Sequence, residues 1–149
     1  MNLEFGSEYD EFTKEVESFC KEYSGATITS DDEKFEMHDA LSGNSSNANG
    51  KTVGRSEWQK LLIEKGYFAR SIPKQYGGYG GEPDIIKSRI IAGAFAKYKV
   101  PNAMGGQGID MLVPTLLEWG TEEQKQEHVE STLHGQTVWC QGYSCPVSY

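Results

Sequence analysis

Two glycine-rich clusters in this 149-residue sequence are candidates for phosphate binding. The backbone amides of glycine-rich loops can hold a phosphate group when the glycines have the right spacing. The clusters are residues 77–81 and 105–108. Neither has the spacing of a dinucleotide-binding or nucleoside-triphosphate loop, and no Lys-Ser or Lys-Thr pair follows. We therefore expect a structural turn at 77–81 and a loop connecting two helices at 105–108.

The histidines and cysteines predict neither a metal site nor a catalytic centre. The three histidines share no spacing typical of metal ligands, and Cys140 with Cys145 lacks the second cysteine pair of a zinc site. A nucleophilic Cys140 would need a histidine base and a group to orient that base, and the sequence shows no sign of either. We expect Cys140 to be a small buried strand residue and the histidines to be solvated surface residues. The histidines are His38, His128 and His134.

The composition excludes several classes of protein. With 14 Lys and Arg against 22 Asp and Glu, the net charge of −8 argues against a binder of duplex nucleic acid, which needs a basic face. No apolar run approaches the roughly 20 residues that span a bilayer, and the first residues lack the pattern of a signal or transit peptide. The odd, scattered cysteines are typical of a reducing compartment. We expect an acidic, soluble, cytoplasmic chain with no nucleic-acid partner and no membrane span.

The elements that must position any site are mostly helices. Apolar residues recur at spacings of three and four, which predicts a mainly α fold of five to six helices followed by one C-terminal β-strand. The segment 41–50 is polar and rich in small residues, which predicts a surface loop. The predicted helices are 7–23, a short acidic one within 30–41, 56–66, 82–98, 109–119 and 121–135, and the predicted strand is 136–144.

Local signals fix several helix ends. Thr121 with Gln124 has the spacing of a capping box, and Pro83 suits the first position of a helix. Pro114 must kink or restart its helix because proline lacks an amide donor. The C-terminal segment has two interpretations. It is either a strand that needs a sheet elsewhere or an irregular tail that lies on the helices.

Several short motifs, in order along the chain, carry a resemblance to a known family. They are Ile72-Pro73-Lys74-Gln75-Tyr76-Gly77-Gly78, then Pro114-Thr115-Leu116-Leu117 with Gly120-Thr121-Glu122-Glu123-Gln124-Lys125, and last Trp139-Cys140-Gln141-Gly142-Tyr143-Ser144. In this order they resemble the N-terminal part of the acyl-CoA dehydrogenases. The resemblance covers nearly the whole chain except residues 26–54, which it leaves as a flexible insertion or loop.

The resemblance implies a domain division and an activity. Residues 1–135 would form the family's helical N-terminal domain, and residues 136–149 would begin its flavin-binding β domain. A whole enzyme of this family binds FAD, removes the α-proton of an acyl-CoA thioester with a glutamate, and passes the β-hydride to the flavin, which yields an enoyl-CoA. An electron-transfer partner then reoxidises the flavin, and the family members are homo-oligomers.

The resemblance also implies site residues. Ser144 would place its hydroxyl beside the reactive edge of the flavin, and Tyr143 would offer backbone contacts to the ring. Tyr98, Met104 and Met111 could line a wall of the acyl cavity. After Ser144 only Pro146 follows the family pattern, and no residue matches the catalytic glutamate. We therefore expect a truncated chain that is inactive alone.

Two alternatives remain open at this stage. The chain could be a helical interaction or oligomerisation module, since a lone strand and an uncovered apolar face would seek a partner. It could also belong to a related acyl-CoA oxidase or nitroalkane-type oxidase, which would share the same N-terminal motifs.

Overall fold

The computed structural model describes residues 7–29 and 51–142. Within these ranges it contains five α-helices, which confirms the predicted mainly α fold. The predicted short helix within 30–41, the predicted loop at 41–50, and Tyr143 and Ser144 lie outside the described residues. The elements are α1 (Ser7–Glu22), β1 (Thr27–Thr29), β2 (Thr52–Gly54), α2 (Arg55–Glu64), a 3₁₀ turn (Lys74–Tyr76), α3 (Ile85–Tyr98), a π-helical turn (Gly108–Leu112), α4 (Val113–Trp119) and α5 (Glu122–Leu133).

The two ends of the segment 26–54 form strands, which corrects the prediction of a flexible insertion or loop at those ends. β1 and β2 pair in parallel, with Ile28 opposite Val53. Both side chains are half-buried and pack against the apolar residues between the helices. Strands of three residues are too short for their alternation to show in a sequence, and such a pair depends on packing for its stability.

The predicted C-terminal strand is absent from residues 136–142, which are irregular. Of the two interpretations left open, the described residues adopt the tail that lies on the helices. The indole N–H of Trp139 donates to Thr132 Oγ1 on α5 at 2.8 Å. Cys140 is exposed, so the expectation of a buried strand residue is wrong at that position.

The helix ends show how the local signals work. Thr121 and Gln124 form the predicted capping box, with Gln124 N donating to Thr121 Oγ1 at 3.3 Å and Thr121 N donating to Gln124 Oε1 at 3.0 Å. Pro83 precedes α3 instead of starting it, because Asp84 is the N-cap and accepts hydrogen bonds from the amides of Ile86 and Lys87. α2 begins at Arg55, one residue before the predicted cap.

Pro114 restarts its helix as predicted. The turn before it is π-helical, and the amide of Val113 donates to Gly108 O, five residues earlier. α4 then begins at Val113 with the proline in its first turn, where a missing amide donor breaks no intrahelical bond.

Two apolar clusters hold these elements together. The first lies between α1, α2 and α3, and there Phe19 contacts the rings of Trp58, Tyr67 and Phe95 at centroid distances of 5.9, 5.1 and 6.2 Å. Phe68 packs against both clusters. The second cluster consists of Ile63, Tyr76, Val113, Val129 and Leu133. The two clusters therefore fix the positions of the segments that lie between them. These segments border an open cleft.

Candidate functional site

A cleft of about 610 Å³ opens beside α3. Its walls are α3, the segment 66–72 and the segment 102–110. The α3 wall presents Ile91 and Phe95, which are 9% and 4% exposed, and Ala92. The opposite wall presents Ala103, Met104 and Ile109. A concave, mainly apolar surface of this size suits a ligand with a hydrocarbon portion.

Three charged residues line the cleft, namely Arg70, Asp84 and Asp110. Asp110 Oδ2 accepts from the amide of Gly106 at 3.1 Å. The Arg70 guanidinium donates to the carbonyl oxygens of Glu82 at 3.1 Å and Gly66 at 3.3 Å, and lies over the ring of Tyr79. Hydrogen bonds from backbone amides, that of Lys87 first, lower the pKa of Asp84. Asp84 is therefore ionised at neutral pH. All three charged side chains make hydrogen bonds to the backbone of the surrounding segments.

The structure brings only one of the three predicted acyl-wall residues into this cleft. Met104 lines it. Tyr98 packs against the first cluster at the end of α3, and its carbonyl accepts a hydrogen bond from Ser24 Oγ at 2.9 Å. Met111 lies on the π-helical turn, 51% exposed, with its sulfur 3.5 Å from Gln141 Nε2. A role in acyl binding remains a prediction for all three.

A small cavity of about 60 Å³ adjoins the cleft, beneath Trp139. Met104, Gly105 and Ile109 line both spaces and so separate them. Gly108 is buried there beneath the indole ring, and a β-carbon at that position would lie 2.6 Å from Trp139 Cδ1. The sequence predicts only a loop at residues 105–108, because nothing in the local pattern points to this contact.

Gln59 is the residue near the cleft that sequence reasoning missed. Its side chain is 0% exposed and bonds both the backbone of Met104 and the carbonyl of Leu133. One signal was available. Gln59 shares the buried stripe of α2 with Leu62 and Ile63. A polar residue on such a stripe must find buried partners.

The cluster at 77–81 is a structural turn, as predicted. Gly77 has φ +81° and ends the 3₁₀ turn. A β-carbon at Gly78 would lie 2.1 Å from the carbonyl oxygen of Ile72. The five amides of residues 77–81 donate to carbonyls of residues 69–74, so none is available to hold a phosphate.

The part of the chain that the structure describes contains no group of three or more His, Cys, Asp or Glu side chains that could hold a metal ion. His128 packs edge-on against Trp139. The side chain of His134 is only 14% exposed, which corrects the expectation of a solvated residue, and burial lowers its pKa. His38 lies outside the described residues. Within residues 7–29 and 51–142, no helix is both long and apolar enough to cross a bilayer.

The fold and its motifs match a known family. The family model for the N-terminal domain of acyl-CoA dehydrogenases matches residues 7–136. That match covers most of the chain. The chain therefore belongs to the acyl-CoA dehydrogenase family, and the match corresponds to the family's N-terminal domain.

Individual relatives agree with this assignment. Acyl-CoA dehydrogenase IpdE1 of Mycolicibacterium smegmatis is 30% identical over 92 residues, which are 62% of this chain and 23% of the relative. Acyl-CoA dehydrogenase FadE34 of Mycobacterium tuberculosis is 33% identical over 89 residues, 59% of this chain and 12% of the relative. The chain thus spans less than a quarter of the length of these relatives.

A solved structure shares the fold. A chain of the ChsE4-ChsE5 complex from Mycobacterium tuberculosis superposes with a TM-score of 0.56 at 22% identity. The similarity covers 99% of this chain and 33% of that chain. At this level of identity the likeness supports the fold alone.

Proposed function

We propose that this chain is the N-terminal helical portion of a FAD-dependent acyl-CoA dehydrogenase, that it forms one wall of the acyl and flavin site, and that it is inactive alone. The observation that carries the proposal is the apolar cleft beside α3. Its walls include α3 and the loop that follows α3, and this loop carries Met104, one of the residues that the family resemblance assigned to the acyl wall. The 9% exposure of Ile91 and the 4% exposure of Phe95 give that wall a fixed apolar surface.

The chemistry of the proposal divides between this chain and the rest of such an enzyme. When bound, FAD would accept the hydride that leaves the β-carbon of the acyl group. This chain would exclude water and orient the acyl chain, and each methylene group buried against the cleft would add about 0.8 kcal/mol to binding. An electron-transfer partner, homo-oligomeric assembly and a cytoplasmic location belong to the same proposal.

The described residues do not by themselves fit a complete flavin site. The amides of the glycine cluster at 77–81 are bonded within the turn, so they offer no cradle for a pyrophosphate. The predicted flavin contacts, Tyr143 and Ser144, lie outside the described residues. We therefore expect the purified 149-residue chain to lose FAD on desalting, and retention of a yellow chromophore would contradict this expectation.

A chimera tests the acyl wall. The homologous N-terminal segment of the Mycolicibacterium smegmatis relative would be replaced by residues 7–136 of this chain, and FAD absorbance would report correct assembly. Ala92→Trp places a large ring in the cleft, whereas Ala96→Trp places it on an exposed part of α3 that does not line the cleft. We expect A92W to raise KM for acyl-CoA substrates at unchanged FAD content, and A96W to leave KM unchanged. Equal KM values in the two variants would rule out the cleft as an acyl wall.

A second candidate function, an interaction or oligomerisation module, is favoured by exposed apolar side chains. Trp119 is 79% exposed and Val138 is 74% exposed. Large exposed hydrophobic residues of this kind are typical of interfaces when they cluster. Sedimentation of the chain at micromolar concentration tests this candidate, with Trp119→Ser as the variant that should weaken self-association. A chain that is monomeric before substitution would exclude self-association through this surface.

A further inference from the structure

We infer that Gln59 is a positioning residue that fixes the Met104 side of the cleft and thereby sets how deep an acyl group can enter. The identity of the ligand in this inference rests on the proposed function. The position of Gln59 is given by its hydrogen bonds and burial alone. Three observations carry it: the hydrogen bonds of the Gln59 amide, the position of Met104 between two cavities, and the close packing of Gly135.

The side-chain amide of Gln59 makes hydrogen bonds to the two segments of the chain that meet at this point. Its Oε1 accepts from the backbone N–H of Met104 at 2.8 Å. Its Nε2 donates to the carbonyl of Leu133 at 3.1 Å and makes a longer contact of 3.5 Å with the carbonyl of Met104. Gln59 is 0% exposed, so these bonds form away from water, where leaving either partner unpaired is costly. One α2 side chain therefore ties the irregular segment 102–105 to the end of α5.

Met104 is the residue whose position this bonding decides. It lines the cleft of about 610 Å³ and also the cavity of about 60 Å³ beneath Trp139. Its methyl group packs on Gly135, where a β-carbon would lie 3.2 Å from Met104 Cε. A methionine side chain is flexible and fills irregular space, so its backbone has to be held for it to act as a fixed partition. With Gln59 in place, Met104 stays in the partition between the cleft and the smaller cavity.

The unmodified 149-residue chain provides the first test. We expect the Met104 amide to be protected from hydrogen exchange by about tenfold or more relative to the amide of exposed Gly105, because the bond to buried Gln59 must open first. Equal exchange rates for these two amides would overturn the inference. This measurement needs no substitution and does not depend on any ligand.

The second test uses Gln59→Leu, which keeps the size of the side chain and removes its hydrogen bonds. Leu61→Ala is the matched control, because it weakens packing of the same helix without touching the Gln59 amide. We expect the Met104 amide in Q59L to lose its protection relative to the Leu62 amide, and L61A to retain the wild-type ratio. An unchanged ratio in Q59L would contradict the inference.

The third test separates the positioning role from the proposed function. Methionines labelled with ¹³C in their methyl groups would be observed during titration with butanoyl-, octanoyl- and dodecanoyl-CoA. Met111, on the π-helical turn outside the cleft, serves as the internal control. We expect wild-type Met104 to shift more with dodecanoyl-CoA than with butanoyl-CoA, because the longer acyl chain reaches it, and Q59L to lose that discrimination. The same dependence of the Met104 shift on acyl length in Q59L would reject the role in depth. A wild-type Met104 that responds to no acyl-CoA would count against the proposed function, and the exchange tests would still decide the positioning role.

Discussion

The indole ring of Trp139 lies directly on the backbone of Gly108, so that a β-carbon at position 108 would come within 2.6 Å of Trp139 Cδ1. Thr132 Oγ1 accepts the N–H of the same ring at 2.8 Å. The ring also meets the imidazole of His128 edge-on, at a centroid distance of 5.5 Å. Trp139 therefore attaches the segment 136–142 to the helices, together with the contacts of Gln141 with Gln107 and Met111. The absence of a side chain at Gly108 leaves room for the indole ring.

Gly108→Ala should detach this segment. The added methyl group cannot coexist with the present position of Trp139, because interiors are packed too densely to absorb it. We expect a loss of about 1–3 kcal/mol in the free energy of unfolding, measured in urea by far-ultraviolet circular dichroism. Trp139 fluorescence should also move toward that of an exposed indole.

Gly93→Ala is the matched control for that substitution. Gly93 is exposed within α3, and a β-carbon there would meet nothing within 4 Å. Alanine favours a helix over glycine by about 1 kcal/mol, so G93A should stabilise the chain. Equal effects of G93A and G108A on stability would show that the Gly108–Trp139 contact is unimportant.

The cysteines should differ sharply in reactivity. Cys20 is 0% exposed within the first cluster, and burial raises the pKa of its thiol to about 11. Cys140 is exposed. Because the thiolate is the reactive form, iodoacetamide near pH 8 should modify Cys140 in the folded chain and Cys20 only after urea is added. Peptide mass spectrometry would measure this, and rapid labelling of Cys20 in the folded chain would contradict the packing described.

His134 should make stability depend on pH. Burial, the largest effect, lowers the pKa of its imidazole in the folded chain, and Lys60 acts in the same direction, while Glu130 opposes them. The unfolded chain therefore takes up this proton at a higher pH, so acidification favours unfolding and stability rises with pH across that window. Between about pH 7 and pH 5, His134→Gln should lose less stability than the wild type. Parallel urea midpoints for the two proteins across that range would refute this assignment, and an NMR titration of the imidazole would show the direction of the shift directly.

The capping box at the start of α5 should contribute measurably to stability. Thr121→Ala removes the oxygen that accepts from the Gln124 amide, and a loss of about 1 kcal/mol in the free energy of unfolding is expected. Thr121→Ser retains that oxygen and should cost little. If T121A and T121S unfolded at the same urea concentration, the hydrogen bond seen at 3.3 Å would be without consequence.

The helices were predictable because their signals are local. Val16, Phe19 and Cys20 on α1 recur at helical spacing and are the residues that become buried. Thr121 and Gln124 are three residues apart, and their bonds form within a single turn. Pro114 restarts its helix because proline itself lacks an amide donor.

The remaining features depend on partners that are far apart in the sequence. β1 and β2 are three residues each, and their pairing joins Thr27 to Thr52. Gln59 finds its partners 45 and 74 residues away. The apolar run ending at Cys140 has the composition of a strand, yet the contacts of Trp139 with Gly108 and Thr132 override that preference. No local pattern contains such information.

The π-helical turn at Gly108–Leu112 has one further consequence. A π turn holds about one residue more than an α turn, and one residue of an α-helix corresponds to a rotation of about 100°. Deleting a single residue from this turn would rewind it and rotate the chain before it relative to α4. Gly108 would leave Trp139, and Ile109 would leave the cleft. The number of residues between Gly108 and Pro114 therefore selects which surface this segment shows to a ligand, and a relative could acquire a different cavity by changing that number while keeping every helix.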